Sequence, residues 1–353
     1  MVKGDFSIPL PKYVVLELTR RCNNKCLHCY TVWGEQSNGY PNSNGKELTT
    51  DEVKQAITKV HEELPLEAIG ISGGEPTLRE DLPEILSFIA KRGLGAAIIT
   101  NGTLLNEQLV NATIHKKTVY QVTLLSYRRE IHDRLAGRKG AWEDAVNGMI
   151  AIKQAGGNLA PVFVATKLNY MDLDKTAKLA LVLGAKSFMY NRMNLGAHNL
   201  DLASQLLPTP EMIIENLESL EELGAKYGLT TVVSVVIEPC VVPLREYKHV
   251  LLGWCPSCGE NSYFTIDPEG NIRICNHSPV ILGNIKQDSL KDIFNFHPYV
   301  QSFRTTLPDE CENCSDKMKS ICRGGCKASG EQCYGTLRRV DPFVTFNKPT
   351  QHN

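Results

Sequence analysis

The chain contains 353 residues, of which 42% are hydrophobic, and its formal net charge is −1. This length predicts one large domain and a smaller one. The near-neutral charge argues against a surface that binds nucleic acid or anionic lipid. No apolar run reaches the roughly 18 residues needed to span a bilayer, and the N-terminus lacks the pattern of a signal peptide, so we expect a cytoplasmic protein.

Strand-like and helix-like segments alternate along the chain up to about residue 237. Short apolar runs predict buried strands over residues 13–18, 68–71, 96–100, 121–125, 162–166 and 187–191. Apolar residues at intervals of three and four predict amphipathic helices over residues 50–64, 82–91, 142–154, 173–183 and 211–227. A further strand is predicted over residues 231–237. Repeated βα units imply a parallel sheet with right-handed crossovers.

Three closely spaced cysteines follow the first predicted strand. Cys22, Cys26 and Cys29 form a C-x3-C-x2-C triplet. A [4Fe–4S] cluster normally takes four thiolates, so three cysteines on one loop indicate a cube with one iron open to another ligand. A zinc knuckle, with His28 as the fourth donor, is the alternative.

A glycine-rich tetrapeptide, Gly73-Gly74-Glu75-Pro76, follows the second predicted strand. The two glycines allow backbone to approach a ligand closely, and Glu75 offers an acceptor for a cationic amine. Taken alone, the tetrapeptide is also compatible with an ordinary turn. Asn101 follows the third strand, so the motifs are predicted to meet where the carboxyl ends of parallel strands bind ligands.

The triplet and the Gly-Gly-Glu-Pro element together resemble the radical S-adenosylmethionine (radical SAM) family. The resemblance implies a partial (β/α)6 TIM-like barrel with a smaller Cys-rich C-terminal auxiliary-cluster domain. It implies that the open iron binds S-adenosylmethionine and that a 5′-deoxyadenosyl radical abstracts hydrogen from a substrate. An electron donor of the flavodoxin or ferredoxin type is then expected.

One part of the chain departs from the family pattern. The family usually carries a Ser-x-Asp type element at the end of strand four, where this chain has Thr123 and Leu125. Thr123 and Ser126 are the candidate ribose contacts, with a capping or core role as the alternative for Ser126. His28 keeps a flat ring that is suited to packing on adenine.

Nine of the twelve cysteines lie between residues 240 and 333. Clustered cysteines in a cytosolic protein bind metal more often than they form disulfides. The spacing resembles the SPASM extension of radical SAM enzymes, which implies one auxiliary cluster on Cys255, Cys258, Cys275 and Cys326, and another on Cys311, Cys314, Cys322 and Cys333. Three [4Fe–4S] clusters are thus expected. A zinc ribbon pair is the alternative for residues 311–333.

Cys240 is left over by this assignment. We expect a structural thiol there, because free cysteine behaves as a small hydrophobe. A ligand swap with Cys255 or Cys258 is the alternative.

The predicted domains are a radical SAM barrel over residues 1–238, a SPASM domain over 239–340 and a tail over 341–353. The turn-rich segment 38–45 is expected to be a surface loop near the cluster, with a lid over the barrel mouth as the other possibility.

The family resemblance implies modification of a ribosomally made peptide, with docking by the peptide itself or a separate leader-recognition protein. Oxidative decarboxylation of a haem precursor remains open, because those enzymes share an opening like Thr19-Arg20-Arg21-Cys22. Asn276 stands where sulfatase maturases carry an acid, which argues against that substrate. A non-catalytic metal or electron-transfer module is the alternative of another class. Candidate proton or radical partners are His277, Tyr127 and Tyr190, each with a structural role as its alternative.

Overall fold

A computed structural model describes residues 9–32, 46–255 and 262–347 of the chain. The expected loop over 38–45 and Cys258 lie outside these residues. The described strands are β1 Tyr13–Glu17, β2 Ala68–Ser72, β3 Gly95–Thr100, β4 Thr118–Val122, β5 Asn158–Leu159, β6 Val162–Ala165, β7 Ser187–Arg192, β8 Thr230–Val233, β9 Val250–Leu252, β10 Tyr263–Ile266, β11 Asn271–Arg273 and β12 Ile281–Asn284.

Helices follow most of the parallel strands and cover their faces. The described helices are α1 Thr50–Glu63, α2 Leu82–Lys91, α3 Glu107–Thr113, α4 Arg129–Ala136, α5 Ala141–Gln154, α6 Leu173–Val182, α7 Ala203–Leu206, α8 Pro210–Tyr227, α9 Leu290–Phe296, α10 Pro298–Thr305, α11 Asp316–Ile321, α12 Lys327–Tyr334 and α13 Pro342–Asn347. Within the described ranges, none of these helices has the length and apolar character needed to cross a membrane.

The strands form two sheets. One has the order β12-β11-β10-β1-β2-β3-β4-β5, and the other has the order β6-β7-β8-β9. Pairing is parallel from β10 to β5 and throughout the second sheet, whereas β10, β11 and β12 are antiparallel neighbours. A parallel bridge between Thr123 and Val162 joins the two sheets. The predicted α/β fold with a parallel sheet is therefore confirmed, although β4 lies three residues earlier than predicted.

Helix α1 illustrates why the predicted helices form. Thr49 precedes it and makes a capping box, in which the Thr49 side chain accepts a hydrogen bond from the Glu52 backbone and the Glu52 carboxylate accepts one from the Thr49 backbone. Its buried residues recur at intervals of three and four and are Val53, Ala56, Ile57 and Val60. This stripe packs into the main hydrophobic core beside β1 and β2.

The expected boundary after residue 238 does not coincide with a break in the sheets. β9 continues the second sheet beyond β8, and β10 lies beside β1 with Tyr13 opposite Tyr263. A buried ion pair between Glu17 and Arg273 holds this junction. The Cys-rich region thus contributes strands to both sheets. The apolar pattern of a single strand does not show which strands lie beside it, so the sequence does not predict this pairing.

Residues 341–347, expected to be part of a tail, form the buried start and the body of α13. The anchor is Arg192 at the end of β7, which is fully buried and lies 2.9 Å from Glu238 Oε1 and 2.6 Å from Asp341 Oδ2. Its guanidinium also lies 4.5 Å from the centre of the Phe343 ring. A buried charge needs such partners, so the ion network fixes the segment after residue 340 to the sheet.

Replacing Arg192 with methionine is expected to destabilise the protein by about 3 to 5 kcal/mol, because two buried carboxylates lose their partner. The midpoint of urea unfolding under anaerobic conditions measures the loss. Lys178→Met is the matched control, since Lys178 forms an exposed pair with Asp174 on α6. Equal midpoints for the two variants would contradict the structural role of Arg192.

Candidate functional site

The loop that carries the cysteine triplet is joined to the end of β2 by backbone hydrogen bonds. Gly74 N donates to Thr19 O at 2.7 Å, and Glu75 N donates to Arg21 O at 2.8 Å. A Cβ on Gly73 would lie 2.5 Å from Thr19 O, and one on Gly74 would overlap Arg21 O. The glycines are therefore required for close contact with the cysteine loop itself.

The other side of the cysteine loop rests on the C-terminus of α4. Lys25 N and Leu27 N donate to Ala136 O and Leu135 O at 3.0 and 2.9 Å. Gly137 ends α4 in a left-handed conformation with φ 65°, and a Cβ there would overlap Lys25 O. Helix α4 thus satisfies the backbone of the loop between the first and third cysteines.

The three thiols of the triplet interact with one another. Burial raises the pKa of the Cys22 and Cys26 thiols, and the nearby Cys29 raises both further. Asn24 N and the Asn101 side chain donate hydrogen bonds to Cys22. Three neighbouring thiols with backbone and amide donors are a donor set that suits an iron–sulfur cluster.

The surroundings of His28 also bear on whether the expected cosubstrate fits beside the triplet. Its side chain is buried between the second and third cysteines, and within the described residues its Nδ1 atom has no hydrogen-bond partner. Burial and the neighbouring His132 lower the pKa of His28 to about 4, so its ring is neutral at neutral pH. A neutral ring with a free nitrogen is compatible with the expected packing on adenine.

Glu75 lies at the centre of a fully buried hydrogen-bond network. Its Oε1 accepts from Thr77 N at 3.1 Å, from Thr77 Oγ1 at 2.5 Å and from Thr100 Oγ1 at 2.6 Å. Its Oε2 accepts from Asn101 N at 2.7 Å. The carboxylate therefore ties the end of β2 to the end of β3, and Oε2 retains the capacity for one further donor. Pro76 begins the buried turn that follows.

Asn101 connects the Gly-Gly-Glu-Pro element with the triplet. Its amide donates to Asn23 Oδ1 at 2.8 Å, and Thr103 donates to its carbonyl from N at 2.9 Å and from Oγ1 at 2.7 Å. With its contact to Cys22, the side chain is fully positioned by neighbours. The structure thus brings together the motifs that follow β1, β2 and β3, as the parallel arrangement predicts.

The two candidate ribose contacts differ in their surroundings. Ser126 is fully buried, donates to Asp172 Oδ2 at 2.6 Å and accepts from Arg128 N at 2.8 Å. Its hydroxyl therefore serves the turn before α4, which favours the capping alternative, and the ribose contact stays a prediction. Thr123 is only partly buried at the end of β4, where its backbone joins the two sheets.

Tyr30 links the triplet to the second cysteine group. Its ring stacks on His277 with centroids 4.0 Å apart, and its hydroxyl accepts from Asn276 Nδ2 at 2.7 Å. The Asn276 carbonyl in turn accepts from the Tyr263 hydroxyl at 2.6 Å. Sequence reasoning missed Tyr30, although its position next to Cys29 is a signal that could have found it.

The first expected auxiliary set is gathered around Tyr263. The thiols of Cys255, Cys275 and Cys326 all lie within electrostatic range of its hydroxyl. Asn194 Nδ2 lies 3.3 Å from Cys326 Sγ and 3.0 Å from His277 Nδ1. No sequence signal marks Asn194 for this role. The fourth expected ligand, Cys258, lies outside the described residues.

The second expected auxiliary set is only partly gathered. Cys311, Cys314 and Cys322 line one pocket below α11, together with Cys240. Cys333 lies on α12, where its neighbours are Asp341 and Ser329, and it is not among the described residues that line the pocket. Cys240, which the sequence assignment leaves spare, thus lies beside three of the expected ligands.

The zinc alternatives for the cysteine groups would need three or four side chains that converge on one point. Across the described ranges, no three His, Cys, Asp or Glu side chains are placed to bind one common metal ion. A zinc ion would draw its sulfurs to about 2.3 Å from one point. A cube needs a wider arrangement, because each thiolate binds a different iron.

Two candidate catalytic tyrosines make hydrogen bonds to neighbouring helices. Tyr190 is fully buried on β7, packs on Phe163 and donates to Asn216 of α8 at 3.3 Å, which is a core position. Tyr127 faces α6, where Lys175 donates to its hydroxyl at 3.4 Å. Both positions favour the structural alternatives, whereas His277 lies between the two cysteine groups.

Comparisons with known proteins match both parts of the chain. A sequence model of the radical SAM superfamily matches residues 16–180, and one of the SPASM iron–sulfur cluster-binding domain matches 255–316. Fe-coproporphyrin III synthase of Methanosarcina barkeri is 34% identical over 98% of this chain and 90% of the relative. PqqA peptide cyclase of Granulibacter bethesdensis is 25% identical over the same shares. Streptococcus suis SuiB bound to its precursor peptide SuiA has a TM-score of 0.74 and 14% identity, covering 94% of this chain and 75% of SuiB.

Gly74→Ala is expected to displace the cysteine loop, because the new Cβ would overlap Arg21 O and lie 2.7 Å from Arg20 O. The reconstituted variant should lose about four iron atoms, those of the cluster on the triplet. Iron and acid-labile sulfide analysis provides the measurement. Gly93→Ala is the control: φ there is 75° and no atom lies within 4 Å, so it adds backbone strain without touching the site. If Gly93→Ala lost iron and Gly74→Ala did not, the steric argument would be refuted.

Proposed function

Because the chain belongs to the radical SAM superfamily and carries a SPASM domain, we propose that it cleaves S-adenosylmethionine reductively and modifies a ribosomally made peptide. The observation that carries this proposal is the meeting of the cysteine triplet with the Gly-Gly-Glu-Pro element at one mouth. When bound there, a [4Fe–4S] cluster supplies an electron and an open iron for the cosubstrate.

The residues around the triplet have distinct proposed tasks. Cys22, Cys26 and Cys29 hold the cluster, and the Asn101 amide donates to the first of them. The backbone of Gly73 and Gly74 beside the cysteine loop supports a contact with the methionine part of the cosubstrate. The spare lone pair of Glu75 Oε2 and the partly buried Thr123 are the further proposed cosubstrate contacts.

The wider cofactor set is part of the same proposal. We expect three [4Fe–4S] clusters, one on the triplet and two in the Cys-rich region. Cys255, Cys275 and Cys326 around Tyr263, with Cys258, are the proposed ligands of the first auxiliary cluster. Electrons would come from a flavodoxin or ferredoxin, and a separate protein could present a leader peptide.

Two lines of support favour a peptide substrate. One relative is named as a peptide cyclase, and the structure of SuiB was solved with its precursor peptide. Asn276 hydrogen-bonds Tyr30 and Tyr263 at the position where sulfatase maturases carry an acid. An amide in that network cannot act as a carboxylate base, so a sulfatase substrate is disfavoured.

A second candidate function is oxidative decarboxylation of an iron porphyrin. The observation that favours it is the 34% identity to Fe-coproporphyrin III synthase over nearly the entire chain. The two candidates share cosubstrate cleavage and differ only in the molecule that donates hydrogen to the radical.

Replacing Cys22, Cys26 and Cys29 together with alanine should abolish 5′-deoxyadenosine formation, since the triplet is proposed to hold the reducing cluster. Wild-type protein should contain about twelve iron atoms after anaerobic reconstitution, and the triple variant about eight. Mass spectrometry of the nucleoside and iron analysis are the measurements. Nucleoside formation at the wild-type rate in the triple variant would disprove the assignment.

Deuterated substrates can separate the two candidate functions. The reduced enzyme is incubated with S-adenosylmethionine and either deuterated iron-coproporphyrin III or deuterated peptides encoded beside its gene. Deuterium should enter 5′-deoxyadenosine from a peptide, and that peptide should change mass. Transfer from the porphyrin, with loss of its carboxylates, would instead establish the second candidate.

A further inference from the structure

Four cysteines from separate parts of the chain line one pocket. They are Cys240, which lies in the connection between β8 and β9, Cys311 and Cys314 before α11, and Cys322 after it. The thiols of Cys314, Cys322 and Cys240 all interact electrostatically with that of Cys311. Cys322 also interacts with Cys240. The pocket therefore collects four thiols, which is the full ligand number of a cubane cluster.

We propose that Cys240, and not Cys333, completes the ligand set of the second auxiliary [4Fe–4S] cluster with Cys311, Cys314 and Cys322. The inference deepens the proposed function, because it rests on the presence of two auxiliary clusters. Each thiol releases its proton as it binds its iron, so four thiolates ligate the four irons and no coordination position stays open.

A buried ion network positions Cys240 for this role. Arg192 donates from Nε to Val236 O at 2.8 Å and pairs with Glu238, two residues before Cys240. Val241 N and Val242 N both donate to Glu238 O at 3.0 Å, so the chain turns sharply at Cys240. Val241 then packs against the small hydrophobic cluster formed by Cys311, Val340 and Val344.

The same network fixes the opposite wall of the pocket. Asp341, the other partner of Arg192, accepts a hydrogen bond from Cys326 N at 3.1 Å and donates from its backbone to Gly324 O at 3.1 Å. A Cβ on Gly325 would overlap the Glu238 carboxylate. The segment that carries Cys322 is thus packed directly on the segment that carries Cys240.

The surroundings of Cys322 favour a sulfur ligand with negative charge. Gly325 N donates a hydrogen bond to the Cys322 backbone carbonyl at 3.1 Å, which turns the chain directly after the thiol. Arg323, Gly324 and Gly325 have φ of 56°, 90° and 83°, so this turn runs through three residues in the left-handed region. Lys319 and Arg323 also line the pocket and offset the net negative charge of a tetrathiolate cluster.

Cys333 occupies a different environment. It lies within α12 and packs against the main core. The valines Val340 and Val344 occupy the pocket wall on this side. Helix α12 is fixed by the Ser329 hydroxyl, which donates to Leu195 O at 2.5 Å, and Cys333 is not among the described residues that line the pocket.

Iron counting tests the assignment in a protein that lacks the first cluster. On the background with Cys22, Cys26 and Cys29 replaced by alanine, adding Cys240→Ala should lower iron from about eight to about four atoms. Cys333→Ala is the matched control and should retain about eight. If the variant with Cys240→Ala retains about eight iron atoms, the proposal is overturned, whatever the iron content of the Cys333→Ala variant. These counts are independent of cosubstrate cleavage, so they distinguish this inference from the proposed function.

Thiol alkylation of the wild-type holoprotein decides the case in which both variants lose iron or fail to fold. The Cys240 side chain is exposed, so an unligated thiol should react readily with maleimide. As an iron ligand it should be protected in iron-replete protein and react only after chelation removes the iron. Peptide mapping by mass spectrometry reads the label. Modification of Cys240 in protein that keeps all its iron overturns the proposal.

Discussion

The close backbone contact between the cysteine loop and the Gly-Gly turn is the constraint on which the site depends. The backbone amides of Gly74 and Glu75 donate hydrogen bonds to the carbonyls of Thr19 and Arg21. A side chain at position 74 would overlap the Arg21 carbonyl. The contact sets where the triplet lies relative to β2, and Glu75 extends it to β3. Local backbone geometry, rather than side-chain packing, therefore determines the position of the thiols.

The two cysteine groups form a continuous structure through a small polar and aromatic cluster. The Tyr30 ring stacks on His277, and the Asn276 side chain forms hydrogen bonds with the hydroxyls of Tyr30 and Tyr263. The thiols of the first expected auxiliary set lie around Tyr263. Because these residues adjoin Cys29 and Cys275 in the chain, direct contacts join the two cysteine groups. The cluster also places His277 where a substrate at the mouth would meet the Cys-rich region.

Much of the fold and the first site follows from local pattern. Apolar periodicity locates the strands and helices, and parallel topology brings the triplet, Glu75 and Asn101 to one end of the sheet. Ser126 and Cys240 could not be placed in this way. Their roles depend on Asp172 and Arg192, which are distant in sequence and form buried contacts that no spacing rule encodes.

Strand β1 lies between β2 and β10, with Tyr13 opposite Tyr263. A ribosome releases β1 and its parallel neighbours long before β10 is made, so the nascent chain carries an unpaired, apolar strand edge for most of its synthesis. Such edges recruit other chains and invite aggregation. Completion of the first sheet thus waits for the segment that also brings Cys275, so the sheet is completed only once a proposed cluster ligand has also been made.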